Sequence, residues 1–256
     1  MTDNPRVLVQ VEEGVLTATL NRPDKRNAID TPMIDALLAT LERADLDAGV
    51  RVVALRGGGG GSDFSAGMDL NELLGSADRP VDENRAAALR FGQIFLQMRR
   101  LPKPVVAVVR GRALAGGCGL ATACDLVLAA ESAKFGYPEV QRGFVPALVM
   151  TLLRRAVGEK VAFDLAATGR ILTATEAAAV GLVSRVYEDA DFEEQTGEVL
   201  RALAATSATA LAFTKQQFYQ LDGLPFEEGL RLGADVNAVS RATPDFRAAL
   251  EAFLHT

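Results

Sequence analysis

Histidine and cysteine, which supply most catalytic triads and zinc sites, are nearly absent from this chain of 256 residues. Its one histidine is His255, and its two cysteines, Cys118 and Cys124, lie close together in one apolar segment. Their scarcity argues strongly against a histidine-dependent triad and against a metal site built from histidine and cysteine. We expect both thiols to be reduced and buried in the core, as free cysteines usually are.

Clusters of basic residues and long apolar runs are also missing. Lysine and arginine total 27 against 33 aspartates and glutamates, a net charge of −6, which argues against a nucleic-acid-binding surface. Residues 1–6 are polar and lack the apolar core of a signal peptide, and no run approaches the length of a membrane span. We therefore expect a soluble protein of the reducing cytoplasm, with no membrane or nucleic-acid partner. Its 49% of hydrophobic residues can bury a sizeable core.

The stretch from residue 103 to residue 146 carries the residues that point to chemistry. Val105–Val109 is an apolar run of the kind that forms a buried strand, and 125–130 resembles a second one. Between them lie the small residues around Gly116, followed by a helix that we expect to start at 121–123. A turn at 135–139 then presents Glu139. The hypothesis from these residues is that the Gly116 N–H binds a developing oxyanion while Glu139 moves a proton beside it.

Around this stretch, apolar periodicity predicts an α/β body at residues 1–190 and an all-helical tail at residues 191–256. Alternating residues around Gly14 predict a β-hairpin, and Thr31-Pro32 predicts an N-cap with a first-turn proline. The body is expected to have strands at 7–12, 15–20, 52–55 and 182–187, helices at 31–44, 147–157, 162–168 and 177–180, a mobile connection at 71–80, and a long helix ending near 100 that carries Leu89 on its apolar side. A capping box at 173–176 precedes the helix at 177–180, and the tail is expected to form helices at about 191–206, 207–222, 226–242 and 244–254.

Five consecutive glycines, residues 57–61, follow the strand at 52–55. A phosphate-binding P-loop is excluded because no Gly-Lys-Ser/Thr follows them, and the repeat meets the dinucleotide fingerprint only trivially. The alternative is a flexible surface loop. The small residues Ser65-Ala66-Gly67 that come next are more informative, since they leave a backbone N–H accessible.

Taken in order, the motifs of the chain resemble those of the crotonase superfamily, which includes the enoyl-CoA hydratases and isomerases. The resemblance covers nearly the whole length, and it rests on the order of the motifs rather than on any single one. The motifs are Asn21-Arg22-Pro23 with Asn27-Ala28, FSAGMDL at 64–70, KPVVA at 103–107, ALAGGC at 113–118, Phe135-Gly136 with Pro138-Glu139, and Gly181-Leu182-Val183.

The resemblance implies an α/β fold in which a spiral of ββα units forms two roughly perpendicular sheets, followed by a C-terminal helical trimerisation region. It implies homotrimers, often paired as hexamers. It also implies a coenzyme A thioester substrate, proton transfer at the carbon next to the thioester, and no metal or redox cofactor.

The resemblance also implies roles for single residues. The N–H groups of Ala66 and Gly116 would form the oxyanion hole, and Glu139 would be the catalytic acid and base. The CoA channel would be lined by Lys25, Arg26 and Ala28 together with Gly67, Met68 and Asp69. Duller interpretations stay open: Lys25 and Arg26 can be solvated turn charges, and Asp69 and Asp125 can hold backbone in place.

One departure from the family pattern bears on the reaction. Hydratases of this family usually carry a second glutamate twenty positions before the one that matches Glu139, and here that position is Gly119. Three interpretations follow: an isomerase that shifts a double bond with one carboxylate, a hydratase or hydrolase that uses another group such as Glu72 or Asp69, and an acyl-CoA-binding protein with little catalysis. Since one carboxylate can act first as base and then as acid, double-bond isomerisation is the favoured hypothesis.

A second departure follows it. Residues 147–150 (ALVM) replace the glycine-rich stretch that is usual in the hydratases. These larger side chains can either reshape the acyl pocket or belong to an ordinary helix core.

Overall fold

The computed structural model describes residues 5–59 and 63–254. His255 and part of the glycine run fall outside these residues, so the sequence interpretations of both stay predictions. The strands are β1 (Val7–Glu12), β2 (Val15–Leu20), β3 (Val52–Gly57), β4 (Val105–Val109), β5 (Arg112–Leu114), β6 (Leu126–Ala130), β7 (Lys134–Gly136), β8 (Ile171–Thr173) and β9 (Arg185–Tyr187). The helices are α1 (Thr31–Leu46), α2 (Leu70–Gly75), α3 (Val81–Arg100), α4 (Gly116–Ala123), α5 (Ala147–Ala156), α6 (Glu159–Thr168), α7 (Ala174–Ala179), α8 (Phe192–Ala205), α9 (Ala208–Gln220), α10 (Phe226–Arg241) and α11 (Pro244–Leu254).

A six-stranded sheet in the order β1-β2-β3-β4-β6-β9 forms the centre of the fold. The β1–β2 hairpin is antiparallel, and every other pairing in this sheet is parallel. Parallel strands are normally covered on both faces, and all five residues of β4 are buried accordingly. The main core lies on one face, while Phe192 of α8 is fully buried in a second cluster on the other.

A smaller sheet, in the order β5-β7-β8, positions the candidate site. Ser65 forms a parallel bridge with Ala113 of β5, and Met68 forms another with Ile29. The loop that follows β3 is therefore held between the segment before α1 and the strand that leads into α4. This pairing brings the FSAGMDL loop beside the start of α4.

The hairpin, the capping box and the four tail helices are confirmed, the tail helices to within two residues of their expected bounds. Both cysteines are free and buried, as expected, and burial raises the pKa of the Cys118 thiol to about 12. The last strand is shorter than expected, because only 185–187 pair with β6. Within the described residues, no helix is both long and apolar enough to cross a membrane.

Four sequence predictions are wrong in detail. The helix expected to start at 121–123 ends there instead: α4 begins at Gly116, so its first turn is made of the small residues. The N-cap of α1 is Asp30 rather than Thr31, since Asp30 Oδ1 accepts from the Met33 N–H at 2.9 Å. The connection at 71–80 contains most of α2, and Leu89 is 48% exposed rather than part of the apolar side of α3.

The helical tail is tied to the body by a buried lysine. Lys215 of α9, only 8% exposed, donates from Nζ to Asp125 Oδ2 at 2.6 Å and to the carbonyls of Met98 and Lys103 at 2.7 and 2.9 Å. Asp125 also accepts from the Val105 N–H at 2.7 Å, which confirms the structural interpretation of this residue. A division of the chain into two units near residue 190 stays a prediction.

We predict that Lys215→Ala lowers the free energy of unfolding by about 3–5 kcal/mol, because it leaves the half-buried Asp125 carboxylate without its cation and removes the donor to the Met98 and Lys103 carbonyls. The exposed Lys160→Ala serves as the matched control and should change stability by less than about 0.5 kcal/mol. Urea denaturation of both variants measures the difference. Equal midpoints for the two would show that the tail is held by other contacts.

Candidate active site

A cavity of about 690 Å³ opens between α2, α3, α5 and the first turn of α4. Its walls are mainly apolar. The residues on its walls that matter for the chemistry are Met68, Glu72, Phe91, Gly116, Glu139 and Val149. The structure therefore brings the predicted Gly116 and Glu139 into one cavity, together with Met68 from the FSAGMDL loop.

Gly116 is the first residue of α4, and its N–H has no partner inside the helix, as for any first-turn N–H. The aligned dipoles of the helix also favour negative charge at this end. The preceding Ala115 has φ +50° and ψ −126°, a conformation that costs a residue with a side chain about 1–3 kcal/mol. This turn changes the chain direction sharply between β5 and α4. The Ala115 N–H is bonded to the Gly136 carbonyl at 2.8 Å, which helps to hold the turn.

The Ala66 N–H, the second predicted oxyanion donor, is already used. It donates to the Arg26 carbonyl at 3.0 Å, and Ala66 does not line the cavity. The sequence prediction for Ala66 is therefore corrected, because this hydrogen bond fixes the loop to the segment before α1.

The N–H of Met68, in the same loop, stays available. Ile29 donates to the Gly67 carbonyl and accepts from the Asp69 N–H, both at 2.8 Å, so the polar groups of Met68 point away from Ile29. Among the described residues, no hydrogen bond from the Met68 N–H is found. A Cβ placed on Gly116 would lie 3.5 Å from Met68 Cγ, so the two residues are close neighbours.

Gly67 makes this approach possible. Its φ is +96°, and a Cβ at this position would lie 2.8 Å from Ala115 Cβ and 3.3 Å from the Gly116 nitrogen. A side chain would therefore push the loop away from the first turn of α4.

Glu139 lies in a 3₁₀ turn, Pro138–Arg142, that directly follows β7. Its side chain is buried, at 8% exposure, and Oε2 has no hydrogen-bond partner among the described residues. Burial raises the pKa of this carboxyl, a shift that a hydrogen bond to its own backbone and the charge of Arg142 only partly oppose. A buried carboxyl with an unpartnered oxygen in an apolar cavity is typical of a catalytic acid or base.

The two other acids proposed from the sequence, Glu72 and Asp69, accept hydrogen bonds that hold the starts of helices. Glu72 accepts from the Thr31 N–H at 3.0 Å and from the Thr31 hydroxyl at 3.0 Å, at the first turn of α1. Asp69 caps α2 and accepts from Arg22 at 2.9 Å. Burial opposes its ionisation, but these hydrogen bonds outweigh burial and lower the pKa of Asp69. The structural interpretation of Asp69 is confirmed.

At position 119 the hydratase pattern has its other glutamate. Here the space that such a side chain would need is occupied by Val149 of the neighbouring helix α5. A Cβ on Gly119 would overlap Cγ1 of Val149 and lie 3.0 Å from its Cβ. Residues 147–149 line the cavity while Val149 is buried in the core, so both interpretations of the ALVM stretch hold.

Of the predicted CoA-binding residues, Met68 lines the cavity, whereas Lys25, Arg26, Ala28, Gly67 and Asp69 do not. Lys25 and Arg26 are exposed, and Ala28 is half-buried, on the segment whose Arg26 carbonyl holds the Ala66 N–H. Their contact with CoA stays a prediction. Within the described residues, no three histidine, cysteine or acidic side chains are grouped so that they could hold a metal ion.

Sequence reasoning missed Met68 as a candidate backbone donor. A pocket wall at Val149 was one of the two interpretations of the ALVM stretch, because larger residues stand where a glycine-rich stretch is usual. For Met68 no sequence signal separates it from Ala66, since the choice depends on which N–H is bonded to the segment before α1.

Comparisons with known proteins agree with this geometry. A family model described as enoyl-CoA hydratase/isomerase matches residues 10–256. A Thermus thermophilus protein provisionally named an enoyl-CoA hydratase is 43% identical over 247 residues, 96% of this chain and 97% of that protein. A 1,2-epoxyphenylacetyl-CoA isomerase of Escherichia coli is 32% identical over 250 residues, 97% of this chain and 95% of that protein.

The crystal structure of an enoyl-CoA hydratase of Mycobacterium smegmatis aligns with a TM-score of 0.93 at 31% identity, covering 98% of this chain and 97% of that one. The resemblance drawn from the motifs and the mixed α/β fold are both confirmed. The chain thus belongs to the enoyl-CoA hydratase/isomerase family, within the crotonase superfamily, and is an acyl-CoA enzyme of that type.

Proposed function

We propose that this enzyme shifts the double bond of an enoyl-CoA ester, with Glu139 as the single acid and base. The observation that carries the proposal is the buried Glu139 carboxylate, whose Oε2 has no partner among the described residues, in the same cavity as the first residue of α4. Two further observations support a mechanism without a second carboxylate. Val149 occupies the space that a side chain at position 119 would need, and Glu72 and Asp69 are hydrogen-bonded to Thr31 and Arg22.

In this proposal the thioester oxygen accepts hydrogen bonds from the N–H groups of Met68 and Gly116. Glu139 removes a proton from the carbon next to the thioester, and the negative charge moves onto the oxygen as the enolate forms. Two fixed N–H donors and a helix N-terminus stabilise that charge without reorganisation. Glu139 then returns the proton two carbons further along the chain, so one C–H bond breaks, another forms, and the double bond comes into conjugation with the thioester.

The raised pKa of Glu139 suits both steps. A carboxyl group with a pKa closer to neutrality holds the transferred proton more readily and is a stronger base when it is ionised. The apolar walls keep water away from the intermediate.

The second candidate is hydration of a 2-enoyl-CoA, which the likeness to a solved enoyl-CoA hydratase favours. Hydration then needs Glu139 to activate the water and also to supply the proton, since the other nearby carboxylates are bonded elsewhere.

The proposal also includes a path for CoA and an oligomeric state. CoA would extend from the cavity toward Lys25, Arg26 and Ala28, since that segment is bonded to the FSAGMDL loop. The chain would form a homotrimer or a hexamer of two trimers. Large apolar side chains exposed on the tail helices, among them Phe226 and Phe253, fit such an interface.

We predict that Glu139→Gln lowers kcat/KM for a 3-enoyl-CoA ester by about 10²–10⁴, the usual contribution of a catalytic base, while the affinity for a saturated acyl-CoA is kept. The matched control is Glu72→Gln, which removes the other carboxylate on the cavity wall and should keep turnover. A Glu139→Gln enzyme with full activity would remove Glu139 from the mechanism. Wild-type hydration of a 2-enoyl ester without isomerisation of the 3-enoyl ester would favour the second candidate.

The pH dependence follows from burial of the same carboxyl. Glu139 works as a base only when it is ionised, so kcat/KM should fall as the pH falls through its pKa. Because burial raises that pKa above the ordinary 4.5, the midpoint of the acidic limb should lie above 4.5. A pH–rate profile for the 3-enoyl ester measures it. An acidic limb centred at or below 4.5 would contradict the account of a desolvated base.

We further predict that Gly67→Ala lowers kcat/KM by roughly 10²–10³, the cost of losing one oxyanion donor, because its Cβ would separate Met68 from Gly116. Gly223→Ala is the matched control: its φ is +81°, so it introduces the same kind of backbone strain, but no atom lies within 4 Å of the new Cβ. Kinetics with one 3-enoyl ester compare the two. Equal losses in both variants would attribute the effect to strain alone.

A further inference from the structure

We propose that Val149 determines the class of reaction, because it occupies the space that a carboxylate at position 119 would need. Among the described residues of the cavity wall, Glu139 is then the one carboxylate that is not bonded at a helix start. The chemical half of this inference rests on the proposed function. The steric half rests on geometry alone and can be tested without any activity.

Position 119 belongs to the catalytic side of α4. It is three residues after Gly116 on the same helix, and residues three apart lie on one face. Both glycines are buried, and Val149, which a Cβ on Gly119 would overlap, lines the cavity together with Gly116 and Glu139. A side chain at 119 would therefore leave the helix toward the reacting atoms.

Val149 leaves no room for that side chain. A Cβ on Gly119 would overlap Cγ1 of Val149, lie 3.0 Å from its Cβ, and stand 3.7 Å from Cζ of Phe95. Even alanine at 119 needs Val149 to move, and glutamate would need still more space.

Val149 has little freedom to move. It is buried within α5, which packs directly against α4. A valine in a helix is held to one strongly preferred rotamer, because its two γ carbons crowd the preceding turn. Leu153, one turn further along α5, is fully buried and fixes the same face of the helix.

Val149 therefore places an apolar wall where the hydratase pattern has a glutamate, and this limits the chemistry of the cavity. Adding water to a double bond forms a C–O and a C–H bond, so one proton must leave the water as another reaches carbon. The methyl groups of Val149 can neither accept the first proton nor orient the water. Proton transfer between two carbons of the substrate has no such requirement, since the proton lost is the proton returned.

The steric half is tested by a double-mutant cycle on thermal stability. Gly119→Ala should lower the melting temperature by several degrees, and this loss should shrink clearly when Val149→Ala is also present. Gly158→Ala is the control, because no atom lies within 4 Å of the new Cβ. Its effect on the melting temperature should be the same with and without Val149→Ala. Additive effects of Gly119→Ala and Val149→Ala would overturn the proposed contact.

The chemical half is tested by comparing wild type, Gly119→Glu, Val149→Ala and the double variant on a short-chain 2-enoyl-CoA and its 3-enoyl isomer. The double variant should hydrate the 2-enoyl ester at least roughly 10²-fold faster than either single variant, the lower end of what a general acid or base contributes. Where Val149→Ala leaves the double variant unfolded, Val149→Gly removes the remaining Cβ contact and replaces it in the comparison.

The possible outcomes distinguish failure of the role of Val149 from failure of the proposed function. A folded double variant that hydrates no faster than the single variants overturns the role of Val149, as does a wild type that already hydrates the 2-enoyl ester rapidly. A wild type that converts neither ester overturns the proposed function instead, while the stability cycle still decides the steric contact.

Discussion

The close approach of Gly67 to Ala115 is the contact on which the site depends. Both residues have positive φ, and a Cβ on Gly67 would lie 2.8 Å from Ala115 Cβ. The strained turn at Ala115 is held by hydrogen bonds on both sides, from Leu114 to the Ser65 carbonyl at 2.9 Å and from Ala115 to the Gly136 carbonyl at 2.8 Å. Two separate pieces of backbone are thereby brought together with unbonded N–H groups facing one cavity, so the small sheet holds in place a strain that the turn alone could not keep.

Partners, rather than residue type, distinguish the acids around this cavity. Asp69 and Glu72 accept hydrogen bonds at helix starts, which uses their oxygens. Glu139 lies in the same region with one oxygen unpartnered, so burial is only partly compensated and its proton is held more tightly. A buried carboxyl that is incompletely hydrogen-bonded reduces stability, and proteins keep such groups chiefly where chemistry requires them.

Much of the fold could be predicted from the sequence, because apolar runs such as Val105–Val109 and the periodic tail helices are local signals. The start of α4 could not, since Gly116 and its neighbours have low helix propensity and form a helix only because their small size permits close packing. Gly116 and Glu139 could be singled out by motif. Met68 could not be separated from Ala66, because the Ala66 N–H donates to the carbonyl of Arg26, which is distant in the sequence.

The fit between Gly119 and Val149 also constrains the order in which this cavity could change during evolution. A carboxylate acquired at 119 while the valine is in place would clash with it and destabilise the fold. Loss of the valine opens the wall but by itself adds no acid or base. We therefore expect a smaller residue at 149 to precede a carboxylate at 119 in any change of reaction at this site.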